Sequence, residues 1–234
     1  MINMITCVLS SKVSAIITHE AIGHMAEADF VLACAEQSLF RTLSQISEKI
    51  TVIDYAHTAF SEACPVPIHV DDEGTTAQDV CLIKEGQCDS LMTNIYTAKA
   101  LSLPLTGNAR IASDGEQPQV RMRNTAMLPG DDDPADIIAS VKDGYYLVDG
   151  TDAYGDINGD FFYKVTEGYR IRNGQIYEPI CECVLCGQTT NFLQSISMVG
   201  NDFKWYVDEC YKWDTVQVGQ GAPTIKACLE IMVM

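Results

Sequence analysis

The chain has 234 residues, of which 47% are hydrophobic and 20% charged, and its 15 basic and 32 acidic side chains give a net charge of −17. This excess of acid repels nucleic acid and anionic membrane surfaces, so neither is expected as a partner. The longest apolar runs, near Ile50–Ile53 and Leu229–Met234, are far shorter than the roughly 20 residues that cross a bilayer.

Cysteine usage and the amino-terminal residues bear on the compartment. Ten cysteines are scattered without a compact disulfide framework, and residues 1–17 lack the basic lead and long apolar core of a signal peptide. We therefore expect a cytoplasmic protein with mostly reduced thiols. The length suits one large domain, taken as residues 1–234.

The first third of the chain predicts a strand, a helix and a second strand. Met4–Leu9 and Lys49–Asp54 read as strands, and Ala15–Leu32 has the apolar periodicity of a partly buried helix. Val80–Lys84 and Cys88–Met92 then form a hairpin pattern around a short polar turn that contains glycine.

The middle of the chain predicts two short helices separated by a long connection. Residues 94–101 read as a helix, and Leu103–Gly130 is a polar connection too long for a simple turn, which indicates a functional loop. Asp133 and Pro134 are typical of the first residues of a helix.

From Tyr145 onward the pattern is that of strands. Phe161–Val165, Tyr169–Arg172 and Gln175–Tyr177 are predicted strands, with Asn173-Gly174 as a tight hairpin turn. Short strands dominate and only two or three helices are expected. The sequence therefore predicts an α+β fold of mostly antiparallel twisted sheets with few helices.

The run from His19 to His24 carries the chemistry. Two histidines with a carboxylate, Glu20, beside the first are the parts of a zinc hydrolase site. Their i, i+5 spacing would splay them by about 140° on a regular helix, compared with about 40° for an i, i+4 pair. Both can face one metal only if the helix widens into a π-bulge, and Gly23 would tolerate that distortion. The motif alone is therefore either a variant metal site or a chance pairing of two histidines.

Collinear blocks along the chain resemble the TldD/PmbA family of metalloproteases, and specifically the C-terminal domain of its TldD-like branch. The blocks are His19–Asp29, Val70–Thr75, Leu105–Arg110, Arg123–Gly130, Gly159–Phe161, Ile196–Asp202 and Gly221–Lys226.

The resemblance implies a zinc-dependent peptidase that acts on unfolded peptides. It implies that His19 and His24 bind Zn2+, that Glu20 is the general base and that a cysteine near the carboxyl end is the third ligand. By its position between two matching blocks that cysteine is Cys210, although family members usually carry theirs in a glycine-rich loop. Cys183 and Cys186, in a run that also includes Cys181, are the reserve candidates.

Other polar residues have a functional and a structural interpretation. Four residues of the long connection are candidates to bind a peptide backbone or carboxylate, with structural pinning of the loop as the alternative: Asn108, Arg110, Arg123 and Asn124. Asp71–Gly74 reads as a tight turn beside the substrate groove or as a solvated acidic turn. His57 and His69 have no motif around them and are interpreted as structural.

The resemblance also implies partners. Family members pair as dimers, so we expect a homodimer or a heterodimer with a related subunit. Members typically carry a further N-terminal domain, so the chain is expected to be a fragment, a split gene product whose N-terminal domain is separately encoded, or a reduced member. A second hypothesis is therefore a non-catalytic scaffold or partner subunit that binds peptide.

Overall fold

The computed structural model describes residues 4–34, 40, 43, 46–112, 117–156 and 158–233. Its α-helices are α1 Ser11–Thr18, α2 Ala28–Cys34, α3 Ile95–Leu101, α4 Pro134–Ala139 and α5 Thr189–Ser195. Its strands are β1 Met4–Leu9, β2 Val52–Tyr55, β3 Thr58–Ala59, β4 Glu62–Ala63, β5 Val80–Lys84, β6 Gln87–Cys88, β7 Ala109–Arg110, β8 Gln119–Val120, β9 Asn124–Met127, β10 Asp143–Gly155, β11 Asp160–Arg172, β12 Gln175–Pro179, β13 Cys183–Gln188, β14 Met198–Val199, β15 Lys204–Lys212, β16 Asp214–Ala222 and β17 Ile225–Val233.

Five strands close into a barrel in the order β1, β10, β11, β13, β17, because β17 pairs with β1 as well as with β13. The β1–β10 pairing is parallel and the other pairings of the ring are antiparallel. Short strands β12 and β14 extend the sheet from β11 and β17. Closure pairs the strand edges that an open sheet would expose.

A second sheet has the order β15, β16, β9, β2, β5, β6, with β9 and β16 parallel. Helix α1 contacts β1 and β10 of the barrel and β9, β15 and β16 of this sheet, so it lies between the two. Every α1 residue except Lys12 is buried. A helix enclosed on all sides needs apolar or hydrogen-bonded residues all round, which its sequence supplies. Within the described ranges, every helix is too short or too polar to cross a membrane.

The predicted α+β class is confirmed, as are several local signals. Asn94 caps α3 through a capping box, and Asp133 caps α4 with Pro134 in its first turn. Asn173 and Gly174 form the predicted hairpin turn, both with positive φ. Each of these signals acts within a few residues, so tertiary packing does not override it.

Several predicted boundaries are wrong. The Ala15–Leu32 helix is interrupted after Thr18 and resumes at Ala28. Only Cys88 of the predicted Cys88–Met92 strand is extended, in β6, although Met92 makes an isolated bridge with Glu27. The two strands predicted between Phe161 and Arg172 are one long strand, β11. Helix α5, which Gln188 caps, lies where no helix was predicted.

The long connection is tied down by a buried charge cluster around Asp54. The Asp54 carboxylate is fully buried and accepts hydrogen bonds from the backbone and side chain of Arg123, the side chains of Asn108 and Thr125, and the Asn124 backbone. Asn108, Arg123 and Asn124 are themselves fully buried. The side-chain donors of these three residues are used inside the protein. Their contacts are those of the structural alternative, pinning of the connection.

The acidic run at Asp71 is the predicted tight turn. One Asp71 carboxylate oxygen accepts from the amides of Glu73 and Thr75, and the other accepts from the Ala109 amide. Gly74 takes a positive φ of 81°. The turn therefore anchors the start of β7.

Replacing Asp54 by asparagine tests how far the fold depends on this cluster. We expect Asp54→Asn to lower the free energy of unfolding by about 3–5 kcal/mol, because the Arg123 charge stays buried without its counter-ion. Urea unfolding followed by circular dichroism measures this. Asp143→Asn is the matched control, because it breaks an ion pair between Arg170 and the Asp143 carboxylate, which is 64% exposed. It should lower the free energy of unfolding by less than about 1 kcal/mol. Equal losses in the two variants would contradict the prediction.

Candidate metal centre

The histidine motif lies on a π-helical turn, His19–Gly23, followed by a 3-10 turn, His24–Ala26. The predicted π-distortion is confirmed, and the wider turn brings the two imidazoles to a ring-centroid distance of 4.9 Å. Gly23 has ordinary helical dihedrals, φ −57° and ψ −55°. Glycine is needed here because it leaves room for the Met122 side chain: a Cβ atom at this position would lie 1.9 Å from the Met122 sulfur.

Cys210 meets the two histidines from β15, on the opposite side of the site. The ligand atoms of His19, His24 and Cys210 all lie within 4.8 Å of one another, and Cys210 Sγ is 3.6 Å from His24 Nε2. His19 and Cys210 are almost fully buried. His24 and Cys210, 186 positions apart, are thus brought together by the packing of the helical segment that begins with α1 against β15.

A second buried arginine holds the strand segment that carries Cys210. The Arg121 guanidinium is fully buried and donates to the backbone carbonyl of Cys210 and to the Asp214 carboxylate. These two acceptors lie on either side of the β15–β16 turn. Arg121 therefore fixes the position of that turn, and sequence reasoning missed it.

Electrostatics at the centre favour a thiolate beside the imidazoles. Burial raises the pKa of the Cys210 thiol, but the charges and hydrogen bonds of His19 and His24 outweigh it and lower this pKa to about 5. Burial lowers the pKa of His24, but Glu27 and Cys210 together raise it well above its usual value. A thiolate is the form in which cysteine binds metals.

Glu27 and Lys212 support His24 from behind. Glu27 is fully buried, and one of its carboxylate oxygens lies 3.3 Å from His24 Nδ1 and 2.8 Å from Lys212 Nζ. The ammonium also donates to Asp29 and to the Val120 carbonyl. Burial raises the pKa of Glu27, but Lys212 and His24 outweigh it and lower this pKa to about 2. A carboxylate that orients the second nitrogen of a ligating histidine is a common feature of metal sites.

Glu20 occupies a different position from Glu27. One of its oxygens lies 3.9 Å from His24 Nε2, the nitrogen that faces Cys210, and its side chain is 14% exposed. It lines a cavity of about 590 Å³ that also borders His24 and Cys210. The backbone of Gly155 packs closely on it, since a Cβ there would lie 2.4 Å from the Glu20 carbonyl oxygen.

Sequence reasoning identified the three clustered residues and Glu20 but missed the groups behind them. An acid three residues after a histidine was a signal for Glu27, because i and i+3 are neighbours on a helix. Nothing local pointed to Lys212 or Arg121. Their partners are distant in sequence.

The remaining predicted residues are not among the clustered donors, although Arg110 lies within electrostatic range of Cys210. Cys183 and Cys186 are in β13 of the barrel, where they pair with β17 and not with the histidines. Arg110 is partly buried and donates to the Met122 carbonyl, 2.9 Å away. His57 and His69 stack on each other at 4.5 Å.

The three clustered side chains fit a zinc ion. Two imidazoles and one soft thiolate form a donor set typical of catalytic zinc, with a fourth position left for water or substrate. His19 Nδ1 is buried and, among the described residues, has no hydrogen-bond partner. A buried nitrogen without a partner destabilises the protein unless a hydrogen-bonding group or a metal ion binds to it.

Comparison with known proteins shows the family to which the chain belongs. A profile of the family described as PmbA/TldA metallopeptidase C-terminal domain matches residues 3–231. The chain is 36% identical over 222 residues to a protein named zinc metalloprotease TldD homolog from Saccharolobus solfataricus, covering 94% of this chain and 49% of that protein. It is 34% identical over 228 residues to the metalloprotease TldD homolog of Buchnera aphidicola subsp. Schizaphis graminum, covering 94% and 46%.

Among solved structures, TldE from Thermococcus kodakarensis superposes with a TM-score of 0.77 at 18% identity, over 99% of this chain and 51% of that one. This likeness is one of fold. The chain spans about half the length of the curated relatives it matches.

Adding a methyl group at Gly23 tests the packing of the π-turn. We expect Gly23→Ala to destabilise the protein by about 1–3 kcal/mol, because the new Cβ overlaps the buried Met122 side chain. Thermal unfolding checks this. Adding Met122→Ala to Gly23→Ala should recover part of the loss relative to the sum of the two single changes. Strictly additive losses would show that the overlap is not the cause.

Replacing Lys212 by methionine tests the support behind His24. We expect a loss of about 3–5 kcal/mol at neutral pH, because the buried Glu27 carboxylate loses its ammonium counter-ion and keeps only His24 as a partner. Since the pair depresses the Glu27 pKa to about 2 from 4.5, its contribution is full above pH ~4.5 and is lost as the pH falls towards 2.

Urea unfolding from pH 7 to pH 3 measures the loss, which should shrink in acid. Lys204→Met, an exposed change in the same strand, is the control. The expectation fails if both variants lose the same stability or if the difference does not depend on pH.

Proposed function

Because the chain belongs to the PmbA/TldA metallopeptidase family, through a match to its C-terminal domain, we propose that it hydrolyses peptide bonds with a zinc ion held by His19, His24 and Cys210. The observation that carries the proposal is the convergence of these three donors beside a cavity that also exposes a carboxylate. The name zinc metalloprotease of one relative supports the choice of metal.

When bound, zinc supplies Lewis acidity to the scissile carbonyl and lowers the pKa of water to about 7. Glu20 takes a proton from the attacking water while the water oxygen forms a bond to the carbonyl carbon. The carbon–nitrogen bond then breaks, and Glu20 delivers the same proton to the leaving amine. Glu27 and Lys212 hold His24 in one orientation throughout.

Two carboxylates lie near His24, and their surroundings favour Glu20 as the base. Glu27 has no exposed surface, and its Oε2 atom already contacts both Lys212 and His24. Glu20 borders the cavity, where a water and a peptide have access. A base must lie within hydrogen-bond reach of the proton that it removes.

Unfolded peptides are the proposed substrates, since an extended chain reaches a partly enclosed site more readily than a folded surface does. We also propose pairing with a second copy or with a related subunit, as the family resemblance implies. Sedimentation of the purified protein, alone and mixed with a related subunit, tests this pairing.

Metal analysis combined with a cleavage assay tests the central proposal. We expect one zinc per chain in the wild type and in Glu20→Gln, and little in His24→Ala and Cys210→Ala. Cleavage of an unfolded reporter peptide by Glu20→Gln should fall by about 100-fold or more, because the proton transfer is lost while the metal stays.

Glu62→Gln, an exposed change in β4 far from the histidines along the chain, is the control and should retain activity. Zinc without cleavage in the wild type would favour the scaffold hypothesis. Absence of stoichiometric zinc would overturn the metal site itself.

A further inference from the structure

The cavity beside His24 and Cys210 has a composition that the proposed chemistry does not require. Bond hydrolysis needs the metal ligands and Glu20, yet most of the remaining wall is apolar. The described apolar side chains that line it include Phe30, Val31, Phe40, Ala153, Tyr154 and Trp213. A volume of about 590 Å³ lies within the range of sites that bind small ligands, so a large side chain fits there.

The walls come from elements that are distant in sequence, which gives the cavity a defined shape. Phe30 and Val31 belong to α2, Ala153 and Tyr154 to the end of β10, and Trp213 to the β15–β16 turn. Phe30 is held by Lys212, whose ammonium lies 4.2 Å from the ring centre. The Lys212 contacts with Glu27 and Asp29 therefore also fix one wall of the cavity.

Two aromatic side chains stand exposed at the rim. Trp213 is 80% exposed and Tyr211 is 74% exposed, and Trp213 has a left-handed φ of 66°. A large aromatic side chain left in water beside a cavity is a frequent feature of binding surfaces. Their place next to Cys210 in sequence puts them beside the metal donors.

The charged side chains at the mouth of the cavity are mostly acidic. Asp156 and Glu209 lie on the lining together with Glu20. Lys212 is the one basic lysine or arginine among the described lining residues, and Glu27 and Asp29 already neutralise it. A low-dielectric cleft lined by acid concentrates cations and excludes anions, and the net charge of −17 adds to this field.

We infer that this cavity is a specificity subsite that accepts a large apolar or aromatic side chain of a peptide carrying a basic neighbour. This inference rests on the proposed function, since it assigns the substrate class to the same centre. The apolar walls bind the side chain, and Asp156 and Glu209 favour the positive neighbour.

Four peptides that differ at two adjacent positions test the inference. They carry Phe or Ala at the first position and Lys or Glu at the second, in an otherwise constant, labelled, unstructured sequence. Binding is measured by fluorescence anisotropy on zinc-loaded Glu20→Gln, so that no peptide is cut. Cleavage by the wild type is followed in parallel.

We expect the Phe peptides to bind at least about tenfold more tightly than the Ala peptides, because a phenyl side chain is removed from water. The Lys peptides should bind several-fold more tightly than the Glu peptides at low salt, and this difference should shrink at 1 M salt. Adding Ala153→Trp should fill the cavity and abolish the preference for Phe. Thr151→Trp, an exposed change two residues away outside the lining, should preserve it.

Equal binding of Phe and Ala peptides, or no binding of any peptide, overturns the subsite. A Phe preference that Ala153→Trp leaves unchanged also overturns it, because the side chain then binds elsewhere. Cleavage that depends on Glu20 but ignores the first position would leave the proposed function standing while the subsite fails. Binding with the expected preference but without cleavage would support the subsite and contradict the proposed function.

Discussion

The centre depends on one buried lysine. Lys212 lies at the end of β15, two residues after Cys210, and its ammonium is shared by Glu27 and Asp29, which flank the start of α2. A buried ammonium requires counter-ions, so the strand that carries the thiol and the segment that follows the histidines must lie together. Through Glu27 the same contact orients His24, and through Phe30 it shapes the cavity.

Two further buried cations repeat this arrangement along the second sheet. Arg121 joins the β15–β16 turn to the connection before β9, and Arg123 joins that connection to β2 through Asp54. Each guanidinium is fully buried and has acceptors from distant segments. The cost of an unpaired buried charge is large, so alternative placements of these strands are disfavoured. The sheet therefore presents Cys210 on a rigid frame, as a site formed from distant segments requires.

How much the sequence could predict follows from the range of each interaction. The π-turn was predictable because the His19–His24 spacing conflicts with a regular helix, and the caps of α3 and α4 depend on neighbouring residues. Helix α5 was missed because Thr189-Thr190-Asn191 has low helix propensity and its stability comes from packing. The burial of Arg123 was missed because its partner Asp54 lies 69 residues earlier.

The same limit applies to the candidate site. Residues that touch through the π-turn were visible in the motif, whereas Cys210 needed a resemblance and Lys212 needed the structure. Polarity alone left two interpretations open at Asn108, Arg123 and Asn124, because a polar side chain in a long loop serves buried hydrogen bonding as readily as binding, and their burial favours the first. The two acids near His24 illustrate the distinction best. Both are glutamates close to one imidazole, and only burial separates the one that fixes the ring from the one that faces the cavity.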